Sequence, residues 1–233
     1  MQMTISTPEK KEETILSEFT EMTFENAKKN ETAFYLATKR IIDVSMALLG
    51  LIVLVPFFLI IGLMIKFEDP SSPVFFKQKR IGKNGANFDM FKFRSMVCNA
   101  EELKVFLQDQ NEAEGPVFKI KSDPRVTKVG KFIRKTSIDE LPQLYNVLIG
   151  DMSLVGPRPP LPDEVEMYTS YERQRISVTP GITCYWQVNG RSNISFAEWV
   201  EMDLDYIQHR NTLIDLKLIF KTIFVLFGSK DAY

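Results

Sequence analysis

One run of apolar residues stands apart from every other stretch of the chain. "IIDVSMALLGLIVLVPFFLIIGLMI", Ile41 to Ile65, holds 25 residues with Asp43 as its only charge. As a helix rising about 1.5 Å per residue it would measure roughly 37 Å, enough for a hydrocarbon layer of about 30 Å. Asp43 lies near one end, four residues after Lys39, where pairing lowers its cost in lipid. Pro56 falls about two-thirds of the way along, and a proline inside a helix removes a donor and crowds the preceding turn. Lys39 and Arg40 precede the run; Lys66, Lys77, Lys79, Arg80 and Lys83 follow it. A simple span carries its basic excess on one flank, whereas both flanks here are basic. The pattern therefore predicts a helix, break, helix hairpin that dips into one leaflet with Pro56 at the break. A single span is the rival reading.

The rest of the chain alternates short periodic segments with turns. Val74–Phe76 and Phe88–Phe93 predict strands around the turn-forming "GKNG", and Ala100–Gln110 predicts a short helix. "GPVFKIKSDPRVTKVGKFIRK" looks irregular. Ile138, Leu141, Leu144, Tyr145 and Leu148 mark a helix that Gly150 ends. Further on come a helix over Glu164–Ile176, a Pro180–Gly181 turn, a strand-like "CYWQV" with a turn at Asn189–Gly190, and a helix over Phe196–Tyr206. The apolar "LIDLKLIFKTIFVLF" covers a core or lies in the headgroup plane.

These elements predict an α+β, mostly helical, monotopic membrane protein with an N-terminal re-entrant helix hairpin and interfacial amphipathic helices. Its expected parts are a polar tail over 1–35, a membrane-inserted segment over 36–66 and a cytoplasmic domain over 67–233. No signal peptide is expected, because the apolar run starts late, is long, and lacks a small-residue cleavage site.

Charge refines this picture. The formal net charge is −1, yet residues 1–35 carry four Lys against seven Glu. Residues 119–135 carry seven basic groups and one acid, and residues 66–94 seven basic groups and three acids. Basic blocks beside apolar sequence suit anionic lipid headgroups or a diphosphate. With no basic excess overall and no nucleic-acid motif, no nucleic-acid partner is expected. Two cysteines, Cys98 and Cys184, make no disulfide framework, and His209 is the only histidine. A histidine metal cluster and a His-based triad within this chain are thereby excluded.

No P-loop, dinucleotide fingerprint or nucleophile elbow appears. The stretch "RKTSIDELPQLYNVLIGDMSLVGPRP" instead places Asp139 and Glu140 side by side. Structurally, Ser137 with Glu140 fits a capping box, or Asp139 caps with Pro142 in the first turn. Functionally, a carboxylate held ionised at a helix start is a nucleophile or metal ligand, and Arg134 and Arg158 are cations that can neutralise phosphate oxygens. Phosphoryl chemistry at a membrane surface follows from that combination. "MDLDY" adds Asp203 and Asp205 in a weak Asp-x-Asp spacing, and Asn193 spells a glycosylation acceptor that means little on a cytoplasmic face.

"FKFRSM", "KTSIDELPQLYNVLIGDMSLVGPRP", "PGITCYWQVNGRS" and "DLKLIFKTI", following a basic-flanked apolar segment with a central proline, closely resemble the bacterial sugar transferase family of monotopic phosphoglycosyl transferases. The resemblance covers approximately residues 36 to 230. It implies transfer of sugar-1-phosphate, with a lean to glucose or galactose, from a UDP-sugar to polyprenyl (undecaprenyl) phosphate, releasing UMP. That step initiates exopolysaccharide, capsule or related glycan synthesis at the cytoplasmic face of the cell membrane, with polysaccharide assembly proteins as candidate partners. By this likeness Asp139 is the nucleophile that forms a covalent phosphosugar, and Glu140 its dyad partner. Glu140 is expected to help place Mg²⁺ or to handle protons, with Asp139 a further expected ligand of the ion. Arg134, Arg158, Lys92 and Arg94 match basic positions near the phosphates, and Asp203 an acidic position close to the site. Val55 replaces a Ser and Cys184 a Gly found in relatives. Two other readings stay open: a membrane-anchored glycosyltransferase that releases UDP and uses Asp203 and Asp205 for metal, and a non-enzymatic membrane adaptor.

Overall fold

A computed structural model describes residues 32–112, 115–189 and 194–228. Most of the polar tail and the Asn193 acceptor lie outside the described residues. The apolar run forms helix α1, Ala33–Glu68, whose first turn is capped by the Thr32 hydroxyl accepting from the Tyr35 amide. The expected interruption is not seen: α1 stays helical through Pro56. A proline bends a helix without ending it when neighbouring turns keep their bonds.

Both ends of α1 are fastened to the same globular part. Near the N-terminus, Lys39 Nζ meets Asp215 Oδ2 at 2.9 Å and the Val155 carbonyl at 2.9 Å. Arg40 donates to the Val147 and Leu148 carbonyls, and the Asp43 carboxylate accepts the Leu154 amide. Near the C-terminus, Ile61 and Ile65 pack with Phe93 and Ile133. Between these anchors the outer face, including Leu49, Ile52, Val53 and Leu59, remains exposed. So large an apolar patch, with no core to bury it, is the signature of a lipid contact.

Strands β1 (Phe75–Ile81) and β2 (Asn87–Phe93) pair antiparallel, and Asn84 and Gly85 adopt left-handed conformations in the turn. After a short helix α2 (Ala100–Val105) comes α3, Lys128–Lys135, in the block expected to be irregular. Its four basic residues and Gly130 hide the helical period, but the Thr127 hydroxyl caps it and the Glu68 carboxylate accepts the Lys128 and Val129 amides. Helix α4 spans Gln143–Ile149 and ends, as expected, at Gly150, whose φ is 102°.

Strands β3 (Ser153–Val155) and β4 (Gly181–Thr183) pair parallel. The Glu164–Ile176 segment is not one helix but α5 (Pro162–Glu166), α6 (Ser170–Arg173) and a 3-10 turn. Thr169 and Glu172 form a capping box that restarts the helix. The strand expected in "CYWQV" is instead helix α7, Tyr185–Asn189. Its aromatic composition favours strand, but Trp186 packs 4.4 Å from Trp199 and Val188 enters the core, so tertiary contacts override propensity. Helices α8 (Phe196–His209) and α9 (Thr212–Gly228) complete the fold. Leu218 and Ile219 of α9 face the core, while Leu213, Phe220 and Phe224 are exposed.

Candidate active site

Asp139 and Glu140 do not sit on a regular helix. After α3, Ser137 takes φ 55°, a left-handed conformation unusual outside glycine, and turns the chain into a single 3-10 turn, Ile138–Glu140. No capping bond forms from Ser137, and Pro142, not Asp139, is the N-cap of α4. Ile138 packs onto the Ile61, Ile65, Phe93 and Ile133 cluster, so the turn is pinned beneath α1.

The two carboxyl groups have different surroundings. Asp139 is buried, and Glu140 is partly exposed with Oε1 2.6 Å from Lys92 Nζ. Alternation along β2 puts Lys92 on the face of Phe88 and Met90, opposite Phe93, and from there its ammonium reaches Glu140. Burial pushes the Asp139 carboxyl well above the usual carboxylate range, and Glu140 adds to the rise against the opposing Lys92 and Arg134. Amide dipoles of a regular helix start, expected from sequence to hold the charge, are not present at this buried 3-10 turn; the carboxyl rises to about 6, which leaves it mostly ionised at neutral pH. Burial also opposes ionisation of Glu140, but Lys92, Arg158 and Arg80 together outweigh it and hold that carboxyl low.

Backbone close approach places Arg158. Gly156 and Gly181 face each other where a side chain on either would strike the other's backbone. The Gly156 amide donates to Thr183 and the Gly181 amide to Pro157, so β3 leaves the sheet in a fixed direction. Arg158 then lines a small cleft with Lys92, Glu140, Gln143, Ile182 and Gln187. Arg134, in the last turn of α3, acts on Asp139 electrostatically. Asn146 joins the pieces: fully buried, it donates to the Asp89 carbonyl at 2.7 Å and accepts from the Phe91 amide at 3.0 Å, which locks β2 onto α4.

Of the residues singled out from sequence, Asp139, Glu140, Lys92, Arg134 and Arg158 come together. Arg94 does not join them: its Nε donates to the Pro73 carbonyl and its guanidinium lies 5.5 Å from the Phe76 ring. Asp203 is wholly buried and pairs with Arg175 Nη2 at 2.7 Å; neither Asp139 nor Glu140 is among its partners. Cys184, expected to touch no presumed catalytic group, lies near enough to Asp203 for that charge to add to the rise burial imposes on its thiol. Pro56 lies on the exposed part of α1.

Two cations escaped the sequence reading. Arg80 is buried, donates to the Pro159 carbonyl at 2.9 Å, and feels both Arg158 and Glu140. Burial, with Arg158 adding to it, brings its guanidinium down to about 10, so it remains charged at neutral pH. Lys119 is the second, where burial, with Arg158 and Arg134 adding to it, lowers the hold of the ammonium on its proton. Both lie in the basic blocks, which was their only signal.

No group of three or more His, Cys, Asp or Glu side chains suited to a metal exists among the described residues. Asp139 and Glu140 alone offer two hard oxygen donors. That set fits Mg²⁺, which commonly takes one or two carboxylates and completes its shell with water and substrate phosphate, and does not fit a closed structural zinc site.

The family model for bacterial sugar transferases matches residues 34–229. Among curated relatives, the chain is 47% identical over 195 residues to the galactosyl transferase CpsE of Streptococcus agalactiae, covering 82% of this chain and 42% of that protein. It is 42% identical over 200 residues to the exopolysaccharide production protein ExoY of Sinorhizobium fredii, covering 84% of this chain and 88% of that protein. It is 42% identical over 199 residues to the undecaprenyl-phosphate galactose phosphotransferase of Salmonella typhimurium, covering 84% of this chain and 41% of that protein. The chain thus spans about two-fifths of the length of the first and third and most of the second. With a match running from the second residue of α1 to the end of α9, and through every residue of the carboxyl pair and its cations, the chain belongs to the bacterial sugar transferase family.

Proposed function

We propose that this protein moves a hexose-1-phosphate, glucose or galactose, from a UDP-sugar to polyprenyl phosphate and releases UMP, the initiating step of an extracellular polysaccharide. The observation that carries the reading is an adjacent carboxyl pair in a turn that Ile138 packs against α1, with Lys92 and Arg134 acting on the buried Asp139 and Lys92 and Arg158 on Glu140. The Salmonella relative, named for galactose phosphotransfer to undecaprenyl phosphate, supports the choice of acceptor and group.

In the first half-reaction an Asp139 oxygen attacks the phosphorus bonded to the sugar oxygen. The bond from that phosphorus to the UMP oxygen breaks, and UMP leaves with the electron pair. In the second, a phosphate oxygen of the lipid attacks the same phosphorus, the aspartyl bond breaks, and the Asp139 carboxylate is restored. Attack by an anion on a diphosphate needs its oxygens neutralised first, and the cations are fixed in advance of substrate. Burial destabilises the ionised Asp139, so the carboxylate that does form is poorly solvated and reactive. Glu140, kept ionised by Lys92, Arg158 and Arg80, would hold Mg²⁺ together with Asp139. The ion would supply charge neutralisation to the diphosphate.

The membrane arrangement belongs to the same proposal. Lys39 and Glu68, at opposite ends of α1, both grip one globular part, which supports a reading in which no bilayer separates them. We therefore read α1 as a re-entrant element bent at Pro56 and lying in the cytoplasmic leaflet, with Leu213, Phe220 and Phe224 of α9 against the headgroups. Cysteine labelling at both flanks of 41–65 tests this, and reaction of one flank only from outside the cell would establish a span.

The UDP-releasing alternative loses its metal site. Asp203 is committed to Arg175, and the exposed Asp205 pairs with His209. A panel of UDP-sugars with polyprenyl phosphate, scored for nucleotide product, decides between the two: UMP with label trapped on the polypeptide supports the proposal, and UDP overturns it. Donors left intact throughout would mark a non-enzymatic adaptor.

A further inference from the structure

The cleft beside the carboxyl pair contains a buried amide whose hydrogen-bonding groups the fold does not use. Leu141 and Pro142 keep right-handed helical dihedrals between the 3-10 turn and α4, so Gln143 stands one turn beyond Glu140 on the same face. One further turn along that face, Asn146 is bonded to β2 through the Asp89 carbonyl and the Phe91 amide, and Val147 enters the core. These contacts press the face against β2. Gln143 thereby comes to line the cleft together with Met90, Lys92, Glu140 and Arg158.

Gln143 is 3% exposed, yet among the described residues its side chain makes no hydrogen bond. Other polar groups of the same cleft are engaged. Lys92 pairs with Glu140 at 2.6 Å, and Gln187 Nε2 donates to the Ile182 carbonyl at 2.6 Å. Burying an amide unbonded costs stability, and a ligand that bonds it recovers that cost.

The chemistry of the amide selects the ligand group. Ionised phosphate oxygens only accept, and Lys92 and Arg158 are the donors suited to them. A glutamine amide both donates and accepts, which matches a hydroxyl: Oε1 takes a hydroxyl hydrogen, a bond that no ionised phosphate offers. In a UDP-sugar the hydroxyls nearest the attacked phosphorus are those of the hexose, because the ribose stands beyond the second phosphate.

We infer that Gln143 hydrogen-bonds a hydroxyl group of the donor hexose and so takes part in choosing the sugar. The inference rests on the function proposed above and names one contact through which that site reads its donor. A site built to bond a hydroxyl discriminates against the analogue that lacks it.

The test is UMP release by the full chain in lipid nanodiscs, with the preferred UDP-hexose and with its monodeoxy analogues, each lacking one hexose hydroxyl. Wild type is compared with Gln143→Met, which keeps an unbranched side chain of similar length and removes its hydrogen bonds. Gln143→Met is expected to lower kcat/KM for the parent donor about tenfold, the scale of one hydrogen bond. One deoxy donor should already be about tenfold poorer with wild type and lose nothing further with Gln143→Met, while the other deoxy donors lose as much as the parent. The thermal midpoint of the variant should match wild type, because no hydrogen bond within the protein is broken. An equal loss on every donor, a parent donor turned over as well as by wild type, or a variant that no longer folds overturns the inference. Wild type that releases UMP from no UDP-hexose would instead count against the proposed function, so the two failures are distinguishable.

Discussion

Lys92 Nζ lies 2.6 Å from Glu140 Oε1, while Asp139, one residue earlier, has no comparable ion pair among the described residues. This asymmetry divides two adjacent carboxyl groups into one held ionised and one pushed toward its neutral form, a separation that enzymes use to assign roles.

The pH profile should report that division. Asp139 must be ionised to attack, so kcat/KM falls as pH drops through its raised value, and the acid limb should lie above the ordinary Asp value of about 3.9. Lys92→Met removes a cation that favours ionised Asp139, so the limb should move to higher pH. Glu140→Gln removes a like charge and should move the limb of the residual activity to lower pH. Shifts in opposite directions are the expected result; shifts in the same direction would mean the two side chains do not act on Asp139 through charge.

The same raised value makes a claim about stability. An Asp whose folded value exceeds its unfolded value binds its proton more tightly in the folded state, so folding is penalised as pH rises through the folded value. Asp139→Asn removes that penalty. The variant should be inactive yet more stable than wild type at neutral pH, by about 1 kcal/mol, and the gain should vanish below about pH 3.9. Thermal melts in detergent at the two pH values check this.

The residues readable in advance were those whose signal is local. A 25-residue apolar run announces a membrane helix, and Asp139 with Glu140 stands out against apolar neighbours. Gly150 was readable as a stop because its left-handed conformation follows directly from an apolar period. The rest depends on what meets in space. Nothing within "QKRIG" says that Arg80 will be buried against Pro159. α3 was hidden because Gly130 and a row of basic residues blur its period, and beyond its Thr127 cap the first-turn amides are satisfied by Glu68, sixty residues earlier. At Asp203 a matching position suggested chemistry, and the structure adds a buried partner, Arg175, that gives the acid a structural reason the sequence did not show.

Asn146 links strand to dyad and should be sensitive for that reason. Asn146→Leu leaves the Phe91 amide and the Asp89 carbonyl without their bonds, at about 1–3 kcal/mol for each buried group left unsatisfied. Because Lys92 follows Phe91, the released strand should also loosen the Lys92–Glu140 pair. Chemical denaturation should show the stability loss, and UMP release should fall more steeply than the folded fraction. A variant that loses stability alone would show that β2 keeps Lys92 in place without Asn146.

Asp203 allows the structural and catalytic accounts of one acid to be separated. Its pair with Arg175 lies fully inside, against Trp199 and Tyr168, and removing one partner of a buried pair strands the other charge at a cost of about 3–5 kcal/mol. Asp203→Asn should therefore lower the denaturation midpoint sharply, while the kcat of whatever remains folded stays near wild type. Replacing both members, Asp203→Leu with Arg175→Met, removes the stranded charge and should recover much of the stability, since apolar side chains of similar volume can substitute for buried ion pairs. If instead Asp203→Asn keeps its midpoint and loses turnover, the acid acts on the substrate as the family resemblance implies, and its pairing with Arg175 must open during the reaction.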